Sequence, residues 1–325
     1  MLLALLFLGL SSALGSAKPT TATPDSSHAA ARKHEDFRAR NLHTIQSIYN
    51  LTTFPRNVPI LTNGTDEVPR GLFSANATGR ISPIGNFTGF ADSAEYFFAL
   101  TNIPSEQNGF TAFFDADVVA FTSECPEVAT SVVYLNTSSL DPDTGRPTSN
   151  DFFALKQIAM WRFDRDGAVL QYEAWIPNVQ FYVSTLMGTP LDLNDPQINA
   201  GTIQALCPII QEECVGPNQQ YANVTECVDV LSNKSFGTYD EAWGDNFICR
   251  SLHARLTRLR PAVHCPHVGK VGGSQAEGFK CTATKYATDY FDDVDLFGGS
   301  GHPFMCSGKN QYLHVRSEVE GPAKE

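Results

Sequence analysis

Residues 151–177 read DFFALKQIAMWRFDRDGAVLQYEAWIP. Two runs rich in aromatic and aliphatic residues flank Asp164-Arg165-Asp166-Gly167, whose glycine supplies a positive φ at little cost. That pattern predicts an antiparallel hairpin of strands 151–163 and 168–177. Two more strand candidates precede it, TAFFDADVVAFTSE at 111–124 and VATSVVYLNTS at 128–138. Further upstream, EDFRARNLHTIQSIYNLT sets Leu42, Ile45, Ile48 and Tyr49 at spacings of three and four, the period of an amphipathic helix. A small strand around Arg80 to Ile84 follows, then a helix begun by Asp92 or Ser93 that turns Tyr96, Phe97 and Leu100 inward. Helices followed by a long-stranded meander make an α+β layout, with helices packed on one face of a curved sheet.

This order, a helix, then LFSANATGRISPIGNFTGFADSAEYFFAL, then long strands ending in WRFDRDGAVLQYEAWIPN, resembles the SnoaL-like and wider NTF2-like superfamily over residues 35–190. The resemblance implies a cone of curved antiparallel sheet closed by helices around a deep pocket. It also implies a small, largely apolar molecule as partner, with lyase or isomerase chemistry in the members that are enzymes. The dehydratase-like members use paired histidines, and no histidine lies on the strand candidates here. Carboxylates are then the acid–base candidates, because a dry pocket raises a carboxyl pKa toward the working range. By strict alternation Asp115 and Asp117 share a strand face with Phe113, Val119 and Phe121, and Glu173 shares one with Val169, Gln171 and Trp175. The competing reading turns these acids to solvent or pairs them with Arg162 or Lys156. Tyr134, Tyr172 and Trp175 are the candidate ligand contacts, against a plain core role.

The chain opens on MLLALLFLGLSSALGSA, an apolar run of signal-peptide length ending in small residues, so residues 1–17 are expected to direct export. Residues 18–34 are rich in Pro, Ser, Thr and Ala and are expected to be a disordered lead-in. Seven N-x-S/T sequons, at Asn50, Asn63, Asn76, Asn86, Asn136, Asn223 and Asn233, fit a secreted glycoprotein. A net charge of −12 argues against nucleic acid, whose phosphates need clustered Lys and Arg. No later run is apolar for long enough to span a membrane.

A segment dense in Pro, Asp and Asn near 187–199 separates the cone from a cysteine-rich region at 200–297, with an irregular tail at 298–325. This second part is similar to uncharacterised secreted proteins of filamentous fungi or oomycetes, a likeness that brings no function. Cys207, Cys214, Cys227, Cys249, Cys265, Cys281 and Cys306 lie there and only Cys125 lies earlier. In an oxidising compartment all eight are expected in disulfides, and an odd number in the second part then forces one to bond Cys125. The stretch HARLTRLRPAVHCPHVG, 253–269, holds His253, His264 and His267. Three imidazoles can bind zinc or copper and leave a position open, although this spacing matches no ligand signature and tight packing explains buried histidines as well. Pro261 is expected to end the helix that begins near Asp245, leaving His264 and His267 in a turn. Arg250, Arg255, Arg258 and Arg260 are expected to pair with Asp292, Asp293 and Asp295 rather than to grip an anionic ligand. A second functional reading is a non-enzymatic secreted factor docking an extracellular or cell-wall partner.

Overall fold

The computed structural model describes residues 36–187, 192–193, 195–274, 278–284 and 306. The leader and lead-in, the 298–325 tail apart from Cys306, and the aspartates 292, 293 and 295 lie outside the described residues.

Helix α1 (Phe37–Asn50) is capped by Asp36, whose carboxylate accepts from the Arg38 backbone N–H at 3.0 Å. Its Ile45, Ile48 and Tyr49 are fully buried, as their spacing predicts. A short α2 (Val58–Asn63) precedes strands β1 (Phe73–Ser82) and β2 (Gly85–Thr88) and helix α3 (Phe90–Ala94). α3 runs on into a wider π-type turn over Glu95–Ala99, all five residues of which are buried. Strands β3 (Thr111–Thr122), β4 (Val128–Ser139), β5 (Phe153–Phe163) and β6 (Val169–Trp175) complete one six-stranded sheet in the order β2-β1-β6-β5-β4-β3. Every pairing is antiparallel except β1 with β6, which returns the chain to the middle of the sheet. The fold is α+β, a curved, mostly antiparallel sheet with helices against its inner face and a disulfide-rich region after it.

Four register shifts bend this sheet, one in β1, two in β3 and one between Arg162 and Phe163. A bulge leaves two residues opposite one and reverses the in–out alternation beyond it. On β3 the inner side therefore carries Phe113, then Ala116 and Val118, then Phe121. Inside the cone Tyr49, Phe73, Phe97, Trp161 and Tyr172 pack ring against ring, with centroids 5.1–6.5 Å apart. Tyr172 lies opposite Gly79 in the β1–β6 register, and a Cβ on Gly79 would sit 2.3 Å from its ring. Gly79→Ala should then cost about 1–3 kcal/mol through overpacking, read as a lower denaturation midpoint at unchanged slope.

The second part is built on α4 (Val179–Leu186), α5 (Pro196–Glu213), α6 (Val224–Ser232), α7 (Phe247–Ala254) and α8 (Pro261–Val268), with a two-strand ribbon β7 (Gly273–Ser274) and β8 (Gly278–Phe279). Its own core gathers Leu206, Ile210, Tyr221, Leu231 and Phe247 around half-cystines. The eight cysteines form the pairs Cys125–Cys306, Cys207–Cys227, Cys214–Cys265 and Cys249–Cys281, so the cross-link to Cys125 comes from Cys306. The expected long helix after Asp245 is two helices. α7 stops at Ala254, and Pro261 starts α8 instead of ending a helix, because a proline lacks only an N–H that a first-turn residue does not need. Among the described residues no helix is long and apolar enough to cross a membrane.

Of the seven sequon asparagines, Asn50, Asn63, Asn76, Asn223 and Asn233 are exposed and Asn86 is half-buried. Asn136 is buried, and its Nδ2 donates to Asp117 Oδ2 at 2.8 Å. A glycan on Asn136 would need that bond broken and the strand edge opened.

Candidate functional site: a capped cavity backed by three histidines

The mouth of the cone is closed by α4, α5 and α7, and between them and the sheet lies a cavity of about 550 Å³. Its walls are mostly apolar, with Ile81, Phe97, Leu100, Phe113, Leu135 and Val183 among them. That is the size and character of a small-molecule site. A few polar groups face it: Tyr49, Tyr96, Gln157, Tyr182, Tyr239 and Arg255.

Two of these carry unmet hydrogen-bonding capacity. Gln157 sits on the inner face of β5, 6% exposed, and its Oε1 has no partner. The Tyr49 hydroxyl lies beside Ser131, whose Oγ accepts from Trp161 Nε1 at 2.9 Å, and makes no hydrogen bond of normal geometry. A buried polar atom without a partner costs about 1–3 kcal/mol, and both atoms lie behind the cavity wall rather than on it. Tyr182 Oη shares a proton with Thr137 Oγ1 at 3.1 Å, and burial pushes its pKa up to about 12.

Arg255 follows α7 directly and reaches the cavity from the α7–α8 connection. It donates to the Thr101 carbonyl at 3.0 Å and to Asn102 Oδ1 at 2.8 Å, and no carboxylate pairs with it among the described residues. Burial pulls its pKa down, while Tyr239 and Tyr182 work the other way. A guanidinium remains charged regardless at neutral pH. The other three arginines pair with acids among the described residues, and the aspartates expected from the sequence lie outside them. Arg250 holds Asp245 at 2.8 Å, Arg258 holds Glu213 at 2.6 Å, and Arg260 holds Asp92 at 2.6 Å together with Glu95. Among the described residues Arg255 is the one of the four with no carboxylate partner, and it lies at the cavity.

Behind Tyr96 the site continues into the histidines. Tyr96 Oη lies 2.9 Å from His253 Nδ1, and His253 Nδ1 lies 3.2 Å from His267 Nδ1. His264 Nε2 meets Glu95 Oε2 at 2.8 Å. The three ring centroids are 4.7, 5.5 and 5.8 Å apart, and all three side chains are buried. Burial, then the neighbouring His267 and His264, hold the His253 pKa well below the usual histidine value. Burial, then Asp92 and Glu95, hold the Tyr96 phenol well above its usual value. Tyr96 is therefore a protonated donor beside a neutral imidazole, with its ring on the cavity wall. Cys249 and Cys281 are also near His253, but as a disulfide they offer no thiolate.

The acids chosen from strand alternation are elsewhere. Asp115 and Asp117 are exposed, because the bulges of β3 reverse the alternation that placed them inside. Glu173 lies on the outer face of the sheet and pairs with Arg80 at 2.6 Å. Among the candidate ligand contacts, Tyr134 and Trp175 are 37% and 36% exposed on the outer face. Tyr172 is inside, but it is core, its hydroxyl donating to Ser93 Oγ at 3.1 Å, and none of the three lines the cavity. His253, His264 and His267, by contrast, are brought together. The sequence reading treated Tyr96 as core and attached no role to Glu95 or Gln157. No spacing rule marks them, since their partners lie 157 and 169 residues away.

Residues 178–282 match the BfoA family C-terminal domain. That span covers α4 to the end of the ribbon and includes Arg255 and all three histidines. Two curated relatives align far beyond it. The aurasperone B biosynthesis cluster protein A of Aspergillus niger is 28% identical over 268 residues, 79% of this chain and 85% of its own length. The bifonsecin B biosynthesis cluster protein A of Aspergillus brasiliensis is 28% identical over 268 residues, 79% of this chain and 88% of its own. Solved structures similar to this one cover about half of the chain. They include a candidate SnoaL-like polyketide cyclase from Jannaschia sp. CCS1, at 11% identity and TM-score 0.33, covering 49% of this chain and all of that one. A steroid delta-isomerase from Pseudomonas aeruginosa matches at 17% identity and TM-score 0.27, covering 46% of this chain and 90% of that one.

Proposed function

We propose that this protein binds a small, largely apolar molecule carrying one acidic group in the capped cavity, and that Tyr96 exchanges a proton with it. The observation that carries the proposal is Arg255, a guanidinium without a carboxylate partner among the described residues, opening on a mostly apolar cavity whose lining also includes Glu106. An ionised phenol, enol or carboxylate seated on Arg255 would recover the electrostatic energy that its burial forgoes. The relatives named for biosynthesis clusters of aurasperone B and bifonsecin B support a metabolite of such a cluster as the ligand class. The chemistry the geometry supports is proton transfer, as in isomerisation, cyclisation or elimination, with Tyr96 as proton donor. Four disulfides and the apolar leader support action outside the cytosol.

Fluorescence titration with a hydroxylated naphthoic acid and its neutral methyl ester tests the reading. The wild type should prefer the acid. Arg255→Met should weaken the acid about 10- to 100-fold, the loss of one charged hydrogen-bonding partner, and leave the ester almost unchanged. Tyr96→Phe should retain binding and lose turnover of a competent substrate. Equal affinities for acid and ester in the wild type would remove Arg255 as the anchor.

A further inference from the structure

We infer that His253, His264 and His267 bind a divalent transition-metal ion of the zinc class, with Tyr96 standing between that ion and the cavity. The inference does not depend on the ligand reading above, because an ion can be held whether or not the cavity is filled.

Burying three imidazoles side by side is costly unless every ring nitrogen is used. One nitrogen from each ring lies within 4.8 Å of the other two, and the rings are 2%, 1% and 0% exposed. Two of those nitrogens, on His253 and His267, are 3.2 Å apart. Two ligands on a tetrahedral ion with metal–nitrogen bonds of about 2.0–2.1 Å sit roughly 3.3 Å from each other, so this pair already has the edge length of a coordination tetrahedron. An imidazole pair without an ion must place a proton between the two nitrogens or face two lone pairs together. With an ion, both lone pairs point at a charge.

His264 supplies the independent observation. Its Nε2 is spoken for by the Glu95 carboxylate at 2.8 Å, and its Nδ1 is buried with no partner. A carboxylate accepting from one ring nitrogen fixes the tautomer, leaves the other as a bare lone pair and raises its basicity, the usual outer-shell arrangement of a metal-bound histidine. Glu95 is itself clamped by Arg260, which also holds Asp92, so the carboxylate cannot swing away. Two carboxylates against the Arg260 guanidinium leave one negative charge beside the imidazoles, which the Lys280 ammonium offsets. On the far side, Lys280 lies over the Phe87 and Tyr96 rings, 5.0 and 6.0 Å from their centroids. It donates to the Asn86 carbonyl and offers no lone pair to an ion while protonated.

Three imidazoles leave a fourth position. The Tyr96 hydroxyl, 2.9 Å from His253 Nδ1, is the group next to it on the cavity side. Tyr96 either takes that position or hydrogen-bonds the water that does.

The experiment is elemental mass spectrometry on the full disulfide-bonded chain secreted from a eukaryotic host, followed by stripping with a chelator and titration with zinc and with cobalt(II). The expected result is about one ion per chain and the visible absorption of tetrahedral cobalt(II). His267→Ala should lose the ion. Glu95→Gln should keep the three imidazoles and bind zinc roughly 10- to 100-fold more weakly. His267→Ala empties a buried position, so thermal unfolding is followed on each sample, and the wild-type titration stands by itself. A correctly disulfide-bonded wild type that takes up neither zinc nor cobalt overturns the site. So does a folded His267→Ala protein that retains the full complement. Arg255→Met, which should lose the acidic ligand, should hold the ion as the wild type does, so failure of the metal site and failure of the ligand reading are read separately.

Discussion

Glu173→Gln should lower stability by about 1–3 kcal/mol, the cost of replacing a charged acceptor that takes two hydrogen bonds from a buried guanidinium. Arg80 and Glu173 face each other in the parallel β1–β6 register, with Arg80 2% and Glu173 8% exposed. Both Nε and Nη2 of Arg80 donate to Glu173 Oε1, at 3.0 and 2.6 Å. Removing the carboxylate charge weakens both of these bonds at once. The double replacement Arg80→Met with Glu173→Leu should recover most of the loss, because apolar side chains of similar volume pay no desolvation cost. Denaturant unfolding of the two single variants and the double variant measures this as a coupling energy. A Glu173→Gln protein with wild-type stability and lost turnover would return Glu173 to the role of an acid–base group.

Replacing Cys214 and Cys265 together by Ala should cost about 4 kcal/mol, the loop-closure entropy the bond removes from the unfolded chain for a separation of 51 residues. For a unit of this size each kcal/mol moves Tm by roughly 2–4 °C, so the expected drop is on the order of 8–16 °C. The effect reaches the site, because Cys265 lies between His264 and His267 on α8 and Cys214 ends α5, whose Leu206 and Thr202 line the cavity. Scanning calorimetry gives the stability change, and the zinc and ligand titrations on the same variant give the functional one. A Tm within about 2 °C of the wild type would mean that packing of α8 against α5 and α7 holds the site without the bond.

The elements of the cone are legible in the chain because each rests on local chemistry. The spacing of Ile45, Ile48 and Tyr49 makes a helix with one apolar face, and the Asp164–Gly167 turn joins two alternating runs. Cysteine counting likewise reached a bond from Cys125 to the second part, since parity leaves no other choice when all eight are oxidised. The site was less legible. Alternation is a local rule, and two bulges in β3, set by how the sheet curves onto its core, turn Asp115 and Asp117 to solvent. Glu173 shows the same limit from the other side, because its partner Arg80 is 93 residues away and only the β1–β6 pairing brings them together.

By itself, the sequence determined the α+β cone, the oxidised second region and the shortlist of three histidines, because periodicity, turn chemistry and residue type act over a few neighbours. Only the tertiary structure decided that α8 begins at Pro261 and returns His264 and His267 against His253, and that Glu95 and Tyr96 meet them. It also decided which of four arginines is left, among the described residues, without a carboxylate at the cavity. The physical reason is range: charge, desolvation and metal-ligand geometry depend on distances across the core, and those distances exist only after the two parts of the chain have packed together.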